Sequence, residues 1–154
     1  TGIHHGAVDG VTGSCHQYFI DDQHSVLIDC GLFQGAELSA SGSAAAPQIN
    51  FAIEHIRALI VTHVHIDHVG RIPYLLAAGF AGPIFCTVAS ATLLPLVLED
   101  ALKVGVTRDN ALINAFLGAF HAFFNSSTSG FSLSDNGKYA STPIASSLFQ
   151  MVVF

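Results

Sequence analysis

Charge is what this chain has least of. Its 154 residues include five Lys or Arg and eleven Asp or Glu, so 10% are charged, against about a quarter in a typical soluble domain. With a formal net charge of −6, a basic surface for gripping nucleic-acid phosphates is argued against, because such contacts demand clustered Lys and Arg. Cysteine is also sparse. Cys15, Cys30 and Cys86 are odd in number, far apart in sequence and include no C-x-x-C pair, which excludes a disulfide framework and makes a reducing cytoplasm the expected setting. No secretory signal is visible, and no apolar run reaches the roughly 18 residues a membrane span requires. The stretch from Ala111 to Phe124 is too short and is interrupted by Asn114 and His121.

What is present is concentrated in one place. Thr62-His63-Val64-His65-Ile66-Asp67-His68-Val69-Gly70 packs three imidazoles and a carboxylate into six residues, just after an apolar run, Ile56 to Val61, that reads as a buried strand. Alternate residues past a strand end can point to the same side, so His63 and His65 can reach one ion, and Asp67 with His68 a second. Imidazole nitrogen and carboxylate oxygen suit Zn²⁺, with Mn²⁺ or Fe as alternatives. Without a cation, four such side chains at this density would repel one another or lose hydration without return. Two divalent ions would add about +4 locally, which matters more to a phosphodiester than the charge of the whole chain.

The H-x-H-x-D-H pattern resembles the signature of the metallo-β-lactamase fold superfamily. Val11-Thr12-Gly13-Ser14-Cys15-His16, Val26-Leu27-Ile28-Asp29-Cys30-Gly31-Leu32-Phe33-Gln34-Gly35, His68-Val69-Gly70-Arg71-Ile72-Pro73-Tyr74-Leu75 and Gly79-Phe80-Ala81-Gly82-Pro83-Ile84 resemble its β-CASP branch, whose members process RNA or DNA. The likeness runs from about residue 2 to about residue 117. It implies an α/β fold, the αββα sandwich, and metal-dependent phosphodiester hydrolysis, in which the ions lower the pKa of a held water and polarise the bond to be cut. On this resemblance His63 and His65 are ligands of the first metal and Asp67 and His68 of the second. Asp67 is also the catalytic candidate, orienting the attacking hydroxide or accepting its proton. Asp29, ending an apolar strand, matches the family's first acidic motif and would hydrogen-bond around the metal loop rather than bind metal; the plainer alternative is a strand-end turn Asp.

Other candidates are weaker. His16 can sit at the site rim or be a partly exposed strand His. His4 and His5 are adjacent and so face opposite sides of a strand. The cysteines read as small buried fillers, and Arg71 as a solvated helix-start residue rather than a phosphate ligand. The family's complete site also takes a third-motif His, a bridging Asp and a further His from a C-terminal half, and the branch adds an inserted clamp domain. None is visible here. His121 lies in an apolar setting, Ala119 to Phe123, and Asp135 has no supporting context.

Starting at Thr1 rather than Met, short for the fold, and holding one face's worth of ligands, the chain is expected to be an N-terminal piece of a longer enzyme. The mean hydropathy of +0.54 agrees with apolar surfaces meant for a missing half. Strands are expected at Ile3 to Val8, Ser14 to Ile20, Ser25 to Asp29, Ile56 to Val61 and Pro83 to Thr87, the first three antiparallel. Helices are expected at Gly70 to Ala78, stopped by Gly79, and at about Ser90 to Val104, with Pro95 near enough to its start to be tolerated and Gly105 beyond its end. A third helix is expected from Thr107, with Asp109 in its first turn. The Ala/Ser/Gly-rich loop from Gly31 to Asn50 is expected to be mobile.

The division is therefore 1–118, the metallo-β-lactamase-like part, and 119–154, a tail with eight serines, six phenylalanines and two charged groups, Asp135 and Lys138, with no assigned role and the character of a fragment boundary. The expected activity is RNA hydrolysis, impaired in this chain, with RNA as substrate of the full-length protein and homodimerisation left open. The rival readings are a hydrolase of small esters or thioesters on the same fold, and a catalytically silent metal-binding or partner-binding fragment.

Overall fold

The computed structural model describes residues 1–8, 10–34, 48–103, 118 and 151–153, the last three through their main chain. Three strands open the chain, β1 (Gly2–Gly6), β2 (Cys15–Phe19) and β3 (Ser25–Ile28), joined as an antiparallel meander. The alternation that predicted them is a division of faces. On β2, Cys15 and Gln17 are buried while His16, Tyr18 and Phe19 are half-buried or exposed, and on β3 Ser25 and Leu27 share the buried side. The β2–β3 turn is held by Asp21, whose carboxylate accepts the Gln23 amide at 2.8 Å and the His24 ring at 2.7 Å. Those two contacts, the amide first, hold its carboxyl below the usual range.

From β3 onward the pairing turns parallel. β4 (Ile56–Ile60) lies beside β3, with Leu27 opposite Leu59 and Ile28 opposite Ile60, and β5 (Ile84–Cys86) lies beside β4. The crossover carries α1 (Ile66–Val69) and α2 (Ile72–Ala77), giving the expected βαβ unit. α3 (Val88–Ala101) follows β5, and β6 (Met151–Val153) pairs parallel with β5. The sheet order is thus β1-β2-β3-β4-β5-β6. The helices cover one face, where Leu27, Leu59 and Ile84 meet Ile72, Leu75, Leu94 and Leu98, all at most 2% exposed. Completely burying side chains of this size is worth about 1.5–3 kcal/mol each. The α/β class holds, and no helix among the described residues is long and apolar enough to cross a membrane.

Three local expectations change. The helix expected from Gly70 to Ala78 is two helices with their junction at Gly70 and Arg71, and the first begins inside the histidine motif, with His65 at its N-cap. Capture of the Arg71 amide by the Cys30 carbonyl, at 2.8 Å, turns the chain there. α3 starts earlier than expected because Thr87 caps it, its hydroxyl accepting the Ser90 amide. Pro95 accordingly sits well inside the helix rather than near its start, where it supplies no amide for the preceding turn. Gly79, at φ +103, ends α2 as expected. Most of the Gly31 to Asn50 loop, Gly105, the helix expected from Thr107, His121 and Asp135 lie outside the described residues.

Candidate metal centre

β3 and β4 run parallel and end side by side, so the residues that follow them, Asp29 and Thr62, emerge at one edge of the sheet, the position where open α/β sheets place their sites. Asp29 sits at φ +59, left-handed backbone that Asp tolerates better than most residues. That turn aims its carboxylate, 2% exposed, back across the end of β4. There Oδ1 accepts the Thr62 amide at 2.9 Å, the Thr62 hydroxyl lies 2.8 Å from Oδ2, and His68 Nδ1 lies 2.7 Å from Oδ2. Ser14 Oγ adds a longer contact at 3.3 Å.

These bonds fix the protons of two histidines. A carboxylate only accepts, so His68 Nδ1 carries hydrogen, and the tautomer this selects has its lone pair on Nε2. The Thr62 hydroxyl spends its hydrogen on Asp29, so its oxygen accepts from His63 Nδ1 at 3.0 Å. His63 therefore also presents an Nε2 lone pair, which points at His65 Nδ1, 3.1 Å away. The His63 ring lies 3.9 Å from the His68 ring, centroid to centroid, and His68 Nε2 lies 3.7 Å from Asp67 Oδ2. The structure thus gathers His63, His65, Asp67 and His68 into one cluster, with Asp29 beneath it touching His68 directly and His63 through Thr62.

The donors suit a divalent ion in kind. Two imidazole nitrogens on a tetrahedral Zn²⁺, each at 2.0–2.1 Å, lie about 3.3 Å apart, close to the His63–His65 separation. They do not amount to a full shell. Among the described residues, no group of three or more His, Cys, Asp or Glu is arranged to hold an ion.

Main-chain bonds shape the loop that carries the cluster. Ser14 N–H donates to the Asp67 carbonyl, Cys30 N–H to the His68 carbonyl and Gly31 N–H to the Ser14 carbonyl, each at 2.8 Å, while Leu32 N–H donates to the Ile66 carbonyl at 3.1 Å. The approach at Gly31 is so close that a Cβ there would collide with the Asp67 carbonyl. Arg71 overturns its expected solvated role. It is 2% exposed, its Nε donates to the Gly31 carbonyl at 2.6 Å, its guanidinium lies 4.9 Å from the Phe33 ring, and its Nη2 has no hydrogen-bond partner among the described residues.

Ser14 and Thr62 are the residues that sequence reading passed over; Thr62 was signalled by its place between the strand and the first His, Ser14 only by the Gly-Ser-Cys-His word. His16 stands on β2 with Nε2 3.3 Å from Ser14 Oγ, its pKa lowered mainly by burial and next by His4. All three cysteines are free and buried. Cys30 and Cys15, distant in sequence, share a hydrogen bond, which with burial pushes the Cys30 thiol well up, and burial pushes Cys86 up to about 11.

The Metallo-beta-lactamase superfamily profile matches residues 10–135. The chain belongs to the metallo-beta-lactamase superfamily. It is 44% identical over 99 residues to Ribonuclease TTHA0252 of Thermus thermophilus, covering 64% of this chain and 22% of that protein. It is 43% identical over 79 residues to the Transcription termination factor FttA of Methanocaldococcus jannaschii, covering 51% and 12%. It is 32% identical over 114 residues to Cleavage and polyadenylation specificity factor subunit 3-II of Arabidopsis thaliana, covering 67% and 17%. These relatives bear out the resemblance of this metallo-beta-lactamase chain to the β-CASP branch. The chain spans between 12% and 22% of their length.

Proposed function

We propose that this chain supplies metal-ligand residues of a β-CASP-type enzyme that hydrolyses phosphodiester bonds in RNA. The observation that carries the reading is the Asp29 lock, which leaves the Nε2 atoms of His63 and His68 unprotonated on the side facing Asp67 and His65. Relatives named as a ribonuclease and as a cleavage and polyadenylation specificity factor subunit support RNA as the substrate class. A divalent ion held there would supply an acidified water and would polarise the phosphoryl group. His63 with His65, and Asp67 with His68, are the residues that would hold ions, Zn²⁺ by donor type, with Mn²⁺ or Fe as alternatives. Asp67, half-buried beside His68, would accept a proton, while Asp29 and Thr62 would hold the rings in their ligating tautomers.

Residues 1–118 are proposed as the domain part and 119–154 as the tail from which β6 joins the sheet. A reducing, cytoplasmic setting is proposed on the three free, buried thiols.

A second reading, a catalytically silent fragment, is favoured by the incomplete donor shell. Elemental analysis of the purified chain beside a His63→Ala/His65→Ala variant, followed by cleavage assays on RNA and on a small ester, separates them. Near-stoichiometric metal lost in the variant, together with RNA cleavage, supports the nuclease. Metal in neither protein and no turnover overturns it in favour of the fragment.

A further inference from the structure

A second pair of imidazoles lies outside the cluster. His4 on β1 and His16 on β2 are direct cross-strand partners, with ring centroids 4.9 Å apart at 78° and Nδ1 to Nδ1 at 2.8 Å. Two nitrogens that close share a single hydrogen, and the surroundings show whose it is. The Ser14 hydroxyl donates to Asp29, so its oxygen accepts from His16 Nε2. Neutral His16 therefore carries its hydrogen on Nε2 and offers a bare Nδ1 lone pair, and the shared hydrogen belongs to His4. Movement of that hydrogen to His4 Nε2, the ring's other neutral tautomer, leaves both Nδ1 lone pairs free on atoms 2.8 Å apart, close enough to share one ion. Two nitrogens at about 2.0 Å from an ion and at right angles to each other are about 2.8 Å apart, the cis edge of a square-planar or tetragonal site. That edge matches the observed separation more closely than the wider tetrahedral one. His5 cannot join, because it faces the other way, stacked on Phe51 at 3.8 Å and bonded to Gln17. His4 is exposed, so water can fill the remaining positions.

We propose that His4 and His16 form a two-imidazole site for a borderline divalent transition-metal ion, preferring Cu²⁺ and then Ni²⁺, distinct from the His63–His68 cluster. The preference follows from the right-angled edge and from the general order of divalent affinities for nitrogen donors. Ser14 acts here as a positioning residue, holding the His16 ring with its free nitrogen toward His4.

The test is a Cu²⁺ titration of the full chain followed by electron paramagnetic resonance, carried out in the His63→Ala/His65→Ala background so that the main cluster does not compete. One equivalent of copper with an axial spectrum split by two nitrogens is expected. His16→Ala and His4→Gln should each weaken binding by at least about tenfold, and Ser14→Ala by about tenfold or less. His4→Gln retains a polar partner for His16, so its strand content by circular dichroism should match the parent, separating lost ligation from lost folding. If the background variant does not fold, the same titration of the parent should show one equivalent more copper than its His4→Gln variant. Equal copper binding with and without the His4 imidazole overturns the proposal and leaves an ordinary hydrogen-bonded histidine pair.

Discussion

Replacing Asp29 by Asn and by Ala separates two jobs done by one carboxylate. Asn keeps an oxygen for the Thr62 amide and tolerates φ +59, but it turns an NH₂ toward His68 Nδ1. A hydrogen bond survives there only if the imidazole moves its hydrogen to Nε2, which removes the lone pair meant for an ion. Loss of such a partner typically weakens metal binding by about 10- to 100-fold, or about 1.4–2.8 kcal/mol, with the fold intact. Ala removes every acceptor. The Thr62 amide, the Thr62 hydroxyl and the His68 ring lose bonds to a buried carboxylate at 2.7–2.9 Å, each worth about 1.5 kcal/mol or more when charge-assisted, and Ala in left-handed backbone adds about 1 kcal/mol. A loss of about 5.5 kcal/mol or more follows, a large part of the roughly 5–15 kcal/mol typical of whole domains. Urea unfolding in chelator, followed by circular dichroism, reads the stability, and zinc titration reads the affinity. An Asn variant that binds zinc as tightly as the parent, or an Ala variant within about 1 kcal/mol of it, would refute the reasoning.

Two further outcomes follow from buried groups. Arg71→Met keeps the packing on Phe33 and removes an Nη2 that has no partner among the described residues, at the loss of one bond to Gly31, so it should cost under about 1.5 kcal/mol in urea unfolding, whereas Arg71→Ala should cost about 3 kcal/mol or more. Equal costs would show that the guanidinium bond, not the packing, is what matters. Burial raises the Cys86 thiol from 9.0 to about 11, so the folded chain keeps its proton where the unfolded chain loses it. Stability from this group is complete below the unfolded value and declines as pH rises from 9.0 toward about 11. A Cys86→Ala variant should therefore show a flatter alkaline loss of unfolding midpoint than the parent.

The sheet up to β5 was legible because its information is local: Ser14 to Ile20 alternates, and Ile56 to Val61 is a short apolar run bounded by polar residues. The cluster was legible for the same reason, four donor side chains within six residues. What escaped depends on partners far away in sequence. The helix break at Arg71 needs the Cys30 carbonyl, and the burial of Arg71 needs Gly31, 40 residues earlier. Pro95 was misjudged because the Thr87 cap that starts α3 lies before the apolar period begins. β6 comes from a segment whose composition carries no strand period, and its pairing with β5 is a long-range event. Asp29 stands between these cases. Its place at a strand end was readable, but its grip on Thr62 and His68 exists only once β3 and β4 lie side by side.

The loop beneath the cluster owes its course to amides and carbonyls, from Ser14 to Asp67, Cys30 to His68, Gly31 to Ser14 and Leu32 to Ile66. None of those bonds reads the identity of a side chain at 63, 65, 67 or 68. Chemistry and architecture are therefore largely separable by mutation in this segment: His65 and Asp67 can change while the chain keeps its path, whereas His68 also satisfies the buried Asp29 carboxylate. Lineages that lose the reaction would be under no folding pressure to lose the fold, so a preserved loop is weaker testimony to activity than the four side chains it displays.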